Sequence, residues 1–210
     1  MLIDFYEVLI MCLVMLLPIA HPLTGMALFM GFSERLPLKC RKDVAIKSSI
    51  YSFLIMLAVW LSGTFIMENI GVSISGIKIA GGVLLIVAGF GLLFPPSNGR
   101  GASYSFQGSN IAFMPIALPG TAGPGVISMI IGFDSFLSEA GYEGGRVKDI
   151  AIIASFVTIS FLLWLGLSFA NRIFPVLGAT RIAILSCLIG FVQFCVGAQF
   201  VIDGIKQAFF

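Results

Sequence analysis

The sequence predicts an all-α integral membrane protein whose six transmembrane helices form two inverted three-helix repeats, with helices 1 and 4 broken. Three observations predict this fold. First, 59% of the 210 residues are apolar and only 10% are charged, whereas roughly a quarter of the residues in soluble domains are charged. Second, six apolar stretches each reach the length of about 20 residues that crosses a bilayer. Third, the heptapeptide at residues 18–24 returns 97 positions later at residues 115–121, with five of its seven residues identical.

The six predicted spans differ in composition. The second and fifth contain no proline and are interpreted as plain, lipid-type scaffold helices. The third and sixth are rich in glycine and other small residues. Because small residues let helix backbones approach closely in lipid, these two spans should pack tightly at the centre of the molecule. The predicted spans are residues 8–33, 48–67, 74–95, 111–133, 150–170 and 182–202.

Basic residues indicate the orientation, because they concentrate on the cytoplasmic side of membrane proteins. The connection between spans one and two carries Arg35, Lys39, Arg41 and Lys42, with Lys47 at its edge. This connection should therefore be cytoplasmic. With six spans, the basic residues divide eight to four in favour of placing both termini outside.

The predicted domain organisation is one membrane domain made of two repeats. Residues 1–95 form the first three-helix repeat and residues 110–210 form the second. Between them, residues 96–109 are rich in proline, glycine and serine and are predicted to be a cytoplasmic linker. Because each repeat has an odd number of spans, the second repeat enters the membrane from the opposite side. The repeats are therefore predicted to be related by a pseudo-two-fold axis in the membrane plane.

The repeated heptapeptide places helix breakers in mid-membrane. Pro22 lacks a backbone donor and clashes with the carbonyl four residues earlier, and residues 118–125 contain two prolines and three glycines. We expect residues 118–125 to be fully unwound. An unsatisfied backbone group is costly in hydrocarbon, so two matched breaks indicate a central solute site. Proline kinks satisfied by neighbouring helices are the alternative. The candidate substrate-binding residues are His21, Pro22, Thr24, Gly25, Pro119, Gly120, Thr121, Gly123, Pro124 and Gly125.

This predicted site is formally neutral, because no carboxylate falls in the middle third of any span. The positive end of a broken helix favours a carboxylate, and released carbonyls accept from an ammonium group. A small neutral or zwitterionic solute therefore fits such a site. His21 is the one histidine in the chain and titrates near neutral pH. It is a candidate proton-coupling group, and a neutral hydrogen-bond donor fixed by packing is the alternative.

Several other kinds of site have little support. The four cysteines show no CxxC pair and no metal-type spacing, so neither a metal nor another cofactor is expected. Basic residues gather in one loop without interleaved aromatics, which argues against nucleic-acid binding. Nucleophilic catalysis needs a nucleophile, a base and an orienting group. A pair of Ser128 and His21 would lack the third, so the chain is not expected to be an enzyme.

Four segments carry a resemblance to a known family. They are LLPIAHPLTGMALFMGF, ISGIKIAGGVLLIVAGFGLLFP, NIAFMPIALPGTAGPGVISMI and GFVQFCVGAQFVIDGI. The chain resembles the MarC family of bacterial inner-membrane proteins over essentially its whole length. The resemblance implies a multi-pass protein of the bacterial cell inner membrane with six transmembrane helices and both termini periplasmic. It also implies a transporter-like protein, since one branch of the family contains proton-dependent carriers of neutral amino acids such as glycine and alanine. His21 stands where the family usually has asparagine.

The leading function hypothesis is a secondary transporter or exporter of a small neutral or zwitterionic solute, such as a neutral amino acid, with proton coupling as an added feature. The alternative is a passive channel or a membrane sensor subunit without coupled transport. The expected partners are the lipid bilayer and a small-molecule solute. The composition permits a homo-oligomer without requiring one.

Overall fold

The structure is a computed structural model, and it describes residues 2–20, 25–26, 29, 37–94, 112–139, 141–142 and 145–209. Every regular element within these ranges is helical. The predicted linker, residues 96–109, lies outside them. The elements in chain order are α1 (Leu2–Ala20), α2 (Leu38–Ile70), α3 (Ile74–Leu93), a π-helical segment (Ala112–Thr121), α4 (Pro124–Glu139) and α5 (Arg146–Phe209).

Four helical stretches of the described chain are long and apolar enough to cross a membrane. They match predicted spans two, three, five and six and confirm them: Cys40–Gly63, Ile74–Leu93, Arg146–Ala170 and Arg181–Phe209. The apolar part of α4, Pro124–Phe133, is shorter. Large apolar side chains cover the outside of these helices, and Leu61 and Phe65 are 70% and 69% exposed. Such a surface is suited to lipid, as expected for a helical integral membrane protein.

Glycines with positive φ lie at turns between consecutive spans of the described chain. Gly71, with φ of 79°, follows α2, and the Ser73 side chain then caps α3 by accepting a hydrogen bond from the Gly76 N–H at 3.1 Å. Gly178 interrupts α5 with φ of 72° and ψ of 156°, a conformation open essentially only to glycine. The bend divides α5 into a first arm (Arg146–Ala170) and a second arm (Arg181–Phe209).

After the bend at Gly178, the second arm packs against α3 through glycines. A methyl group added at Gly82 would lie 2.6 Å from the Gly197 carbonyl oxygen, and one added at Gly197 would lie 2.7 Å from the Gly82 carbonyl oxygen. Gly89 and Gly190 make the same reciprocal contact at 2.7 and 3.0 Å. We call these four glycines the glycine seam. Their contacts confirm the prediction that spans three and six pack closely. The prediction that these two spans lie at the centre of the molecule is wrong, because the first arm is the most buried of the four spans and the second arm the least.

The fourth predicted span is broken, as expected. Met114 and Leu118 have extended backbones, with φ near −130° in both, because each precedes a proline whose ring disfavours the helical conformation of the residue before it. The Ala122 N–H then donates to the Ala117 carbonyl at 2.8 Å, a bond that spans five residues instead of four. Two pre-proline residues therefore account for the irregular backbone.

The break is shorter than the sequence suggested. The expectation that residues 118–125 are fully unwound is wrong for residues 119–121, which belong to the π-helical segment, and for Pro124 and Gly125, which form the first turn of α4. The Gly123 carbonyl accepts the first bond of α4, from the Ile127 N–H at 3.0 Å. Pro124 thus occupies the first helical position, where a missing N–H costs nothing and the fixed φ suits a helix.

Buried apolar side chains form two clusters. The larger cluster joins α1, α2, α3, α4 and both arms of α5, and includes Ala20, Met56, Ala122, Phe156 and Ile159. The smaller cluster consists of Met26, Phe29, Ala45, Ile116, Leu163, Leu167 and Ala170. A hydrogen bond from the Tyr142 hydroxyl to Glu7 Oε2, 2.6 Å long, ties the α4–α5 connection to the start of α1. Both therefore lie at the same end of the molecule, as the predicted topology requires.

Candidate functional site

The first and fourth predicted spans each pass from one apolar cluster to the other at their predicted breaks. In the first span Ala20 belongs to the larger cluster and Met26 to the smaller one. In the fourth span Ala122 belongs to the larger cluster and Ile116 to the smaller one. The described residues on either side of the first predicted break, and those on either side of the break in the fourth span, therefore belong to different clusters.

Two continuous helices cross the same boundary. On α2, Met56 belongs to the larger cluster and Ala45 to the smaller one. On the first arm the change falls between Ile159 and Leu163, which are one helical turn apart. Along the chain, buried hydroxyl side chains lie between these residues of the two clusters: Ser48, Ser49, Ser52, Thr121 and Ser160. We call these residues the polar layer.

Gly25 and Thr121 bring the first and fourth spans together inside the polar layer. A methyl group added at Gly25 would lie 3.4 Å from Thr121 Oγ1 and 3.1 Å from a methyl carbon of Leu163. On the other side of the break, Gly125 packs against Leu85, and a methyl group there would lie 3.6 Å from a methyl carbon of Ile19. Residues flanking the two predicted breaks are thus in van der Waals contact on both sides.

The hydroxyls on the fourth span are satisfied by its own backbone. Thr121 is 1% exposed, and its hydroxyl donates to the Ile116 carbonyl at 3.3 Å. The Ser128 hydroxyl donates to the Pro124 carbonyl at 3.0 Å, and its side chain packs so closely on Gly81 that any larger residue there would overlap with it. Ser128 is therefore placed as a packing residue between α3 and α4.

The structure describes some of the candidate binding residues and not others. Gly25, Thr121 and Gly125 are buried at the contacts described above. Pro119 and Gly120 belong to the π-helical segment, and Gly123 and Pro124 begin α4. His21, Pro22 and Thr24 lie outside the described residues, so their roles stay predictions.

Sequence reasoning missed the polar residues of the remaining spans. Ser48, Ser52 and Ser160 are buried on α2 and the first arm, and Gln193 is 3% exposed in the middle of the second arm. The sequence does indicate that these polar residues are buried, because polar residues within a span face the protein interior more often than lipid. The interpretation of span two as plain scaffold is therefore incomplete, and that of span five as a plain lipid-type helix is wrong, because the first arm is the most buried of the four spans.

Metal-ligating side chains do not cluster in the part of the chain that the structure describes: no group of three or more His, Cys, Asp or Glu residues lies together there. The four cysteines are free thiols, and Cys12 is buried in the larger apolar cluster. The described part of the polar layer offers hydroxyl and backbone groups, which form hydrogen bonds with a polar solute.

Comparison with known proteins assigns the chain to a family. The family model described as "MarC family integral membrane protein" matches residues 6–209. The chain belongs to the MarC family. It is 34% identical over 215 residues to "UPF0056 inner membrane protein MarC" of Escherichia coli strain K12, covering 98% of this chain and 97% of the relative. The proteins of the same name from E. coli strain UTI89 and from Shigella flexneri show the same identity and coverage. No solved structure matches the chain.

Proposed function

We propose that this MarC-family protein is a secondary transporter or exporter of a small neutral or zwitterionic solute, such as a neutral amino acid, in the bacterial inner membrane. The close approach of Gly25 to Thr121 carries the proposal, because Gly25 directly follows the first predicted break and Thr121 lies at the break of the fourth span. Transporters built from inverted repeats bind their substrates at such paired breaks. The inner-membrane location follows the names of the relatives.

The proposal includes six spans arranged as two inverted repeats, residues 1–95 and 110–210, with a cytoplasmic linker and periplasmic termini. The glycine seam supports this arrangement. Gly82 and Gly89 are seven residues apart, as are Gly190 and Gly197, and the first glycine of each pair contacts the second glycine of the other pair. A two-fold axis relating α3 to the second arm produces this crossed pattern.

Sequence register supports the same axis. The step of 108 residues that leads from Gly82 to Gly190 also leads from the tripeptide at residues 52–54 to an identical tripeptide, Ser-Phe-Leu, at residues 160–162. Ser52 on α2 and Ser160 on the first arm are both buried. One step therefore matches span two to span five and span three to span six.

The local chemistry favours a solute without net charge. α4 begins at the break, so its first N–H groups are available to a carboxylate. The described residues of the polar layer and of the two clusters beside it are hydroxyl and apolar residues, and none of them carries a charge. The proposed contacts come from His21, Pro22, Thr24, Gly25, Pro119, Gly120, Thr121, Gly123, Pro124 and Gly125.

The decisive test is uptake into liposomes containing the purified protein, with labelled glycine and alanine as probes. We expect saturable uptake that Gly25→Leu reduces by about tenfold or more, since the added side chain would press against Thr121 and Leu163 and push the two spans apart. Gly91→Leu is the matched control, because Gly91 lies on α3 with no atom within 4 Å of an added methyl group. Equal uptake by both variants would remove Gly25 from the pathway, and flux without saturation would identify a passive channel.

His21 is the proposed proton-coupling residue. His21→Asn restores the residue usual in the family while removing the titratable group. We expect this variant to retain uptake but to lose the dependence of uptake on an imposed pH gradient. Unchanged pH dependence would assign His21 to packing and leave the solute site untouched.

A further inference from the structure

An open groove of about 360 Å³ runs along the outside of the molecule between α2 and the first arm. Its two small residues, Ser49 and Ser160, are each 7% exposed and lie deepest. The Ser49 hydroxyl donates to the Ala45 carbonyl of its own helix at 2.9 Å. The remaining lining is large and apolar: Ile46, Ile50, Phe53, Val157, Phe161 and Trp164. The groove is therefore a hollow in the lipid-facing surface, created where two serines stand among larger side chains.

The apolar clusters show how the two walls of the groove are oriented. Ala45 on α2 and Leu163 on the first arm both belong to the smaller cluster. Met56 on α2 and Phe156 on the first arm both belong to the larger cluster. The two helices therefore run antiparallel. The groove end nearest the start of α2 is the end at which Trp164 lies.

Basic side chains lie beyond this end of the groove on both walls. Lys42 lies one helical turn before Ile46, and Arg172 lies two turns after Trp164, so each continues the line of a groove residue. The described residues that are charged and exposed here carry a net positive charge: Lys42, Asp43, Lys47 and Arg172. The same end is predicted to be cytoplasmic, because basic residues concentrate on that side of membrane proteins.

We propose that this groove binds one acyl chain of an anionic phospholipid, with the phosphate of the headgroup beside Lys42, Lys47 and Arg172. An unfilled hollow would forfeit dispersion contacts that a flexible hydrocarbon chain supplies. Basic pockets between transmembrane helices on the cytoplasmic side bind acidic headgroups. Trp164 lies at the same end, and tryptophan is enriched at the level of the headgroups.

The charges favour a lipid over a second copy of the chain in this groove. Two copies inserted in the same direction and related by a two-fold axis would bring the basic end of one groove next to the basic end of the other. Like charges placed opposite each other disfavour such an interface. A phosphate, in contrast, is attracted to the same lysine and arginine side chains.

The first test measures how the purified protein binds phosphatidylglycerol and the zwitterionic phosphatidylethanolamine, by native mass spectrometry and by the rise in melting temperature that each lipid produces. Val157→Trp fills the groove with a larger side chain. Val87→Trp on α3 is the matched control, since Val157 and Val87 are 51% and 63% exposed and only Val157 lines the groove. We expect one phosphatidylglycerol per wild-type chain, an affinity about tenfold or more lower in Val157→Trp, and no change in the control.

The second test concerns the headgroup. Lys42→Gln/Lys47→Gln should lower the preference for phosphatidylglycerol over phosphatidylethanolamine by about fivefold per lysine, because each lysine near the surface attracts an acidic lipid. Lys206→Gln, at an exposed lysine near the end of the second arm, should leave the preference unchanged. Equal wild-type affinity for the two lipids, or equal binding by Val157→Trp and Val87→Trp, would overturn the proposal. A lipid-free dimer that Val157→Trp dissociates would also overturn it and would make the groove an interface between copies.

Discussion

Substituting Gly89 by alanine should destabilise the protein, although alanine is the better helix former. A methyl group at Gly89 would lie 2.7 Å from the Gly190 carbonyl oxygen and 2.8 Å from the Phe194 amide nitrogen. Both are backbone atoms, so no side-chain rotation can relieve the overlap. The two helices must move apart, and overpacking of this kind costs typically about 1–3 kcal/mol.

Gly91 provides the reference, because it lies on the same helix and a methyl group there would have no atom within 4 Å. Gly91→Ala should gain roughly 0.5–1 kcal/mol from the backbone freedom that glycine loses on folding. The same gain applies at Gly89, so the difference between the two variants isolates the packing cost of about 1–3 kcal/mol. At about 2–4 °C per kcal/mol for a chain of this length, the melting temperatures should differ by about 2–12 °C.

The assay is thermal unfolding of the two purified variants in one detergent at one protein concentration, followed by intrinsic fluorescence or by the loss of monodisperse protein on size exclusion. Gly190→Ala serves as a second measurement, because its added methyl group would lie 3.0 Å from the Gly89 carbonyl oxygen and should also lower the melting temperature. Equal melting temperatures for Gly89→Ala and Gly91→Ala would refute the close backbone contact of α3 with the second arm, and with it the support that the glycine seam gives to the inverted repeat.

Two further predictions concern the ends of the helices. The hydrogen bond to Glu7 raises the pKa of the Tyr142 hydroxyl above its usual 10.0. The bond therefore stabilises the fold fully below pH 10.0, and this stabilisation is lost as the pH rises through the raised pKa. Tyr142→Phe should therefore lower the melting temperature at about pH 8. The difference in melting temperature between this variant and the wild type should disappear in strongly alkaline buffer. A difference that does not change with pH would contradict the hydrogen bond. Gly178→Ala should cost about 1–3 kcal/mol, because alanine is strained at the positive φ of the bend. Gly145→Ala, at a position with open space, should change stability less, and equal effects would count against the bend.

The sequence predicted the spans best where a helix is continuous. The predicted third span, residues 74–95, matches Ile74–Leu93 closely, since Ser73 caps its start and apolar residues fill the rest. The predicted sixth span ended at residue 202, whereas the second arm continues to Phe209. A hydropathy pattern stops at polar residues such as Asp203, while a helix continues through them when its backbone bonds are intact.

The candidate site was predicted in part. The prolines of the fourth span predicted its break, because the conformational restriction on the residue before a proline is local and can be read from the sequence. The contact of Gly25 with Thr121 could not be derived in this way, since it depends on how two distant spans pack. The buried serines of α2 and the first arm were overlooked for the same reason. A serine that bonds its own helix and one whose buried hydroxyl has no bond within the described chain are identical in sequence, as Ser49 and Ser48 show.

The glycine seam also restricts how the molecule can move. Because backbone touches backbone there, no rotamer change can absorb a change in separation, so α3 and the second arm should behave as one rigid body. Other interfaces are more compliant: Gly63 on α2 meets the flexible side chain of Ile131 on α4. In a transporter of the proposed kind, α2 and the first arm would accordingly move relative to this rigid pair of helices, and distance measurements between spin labels on α2 and α3 would detect that movement.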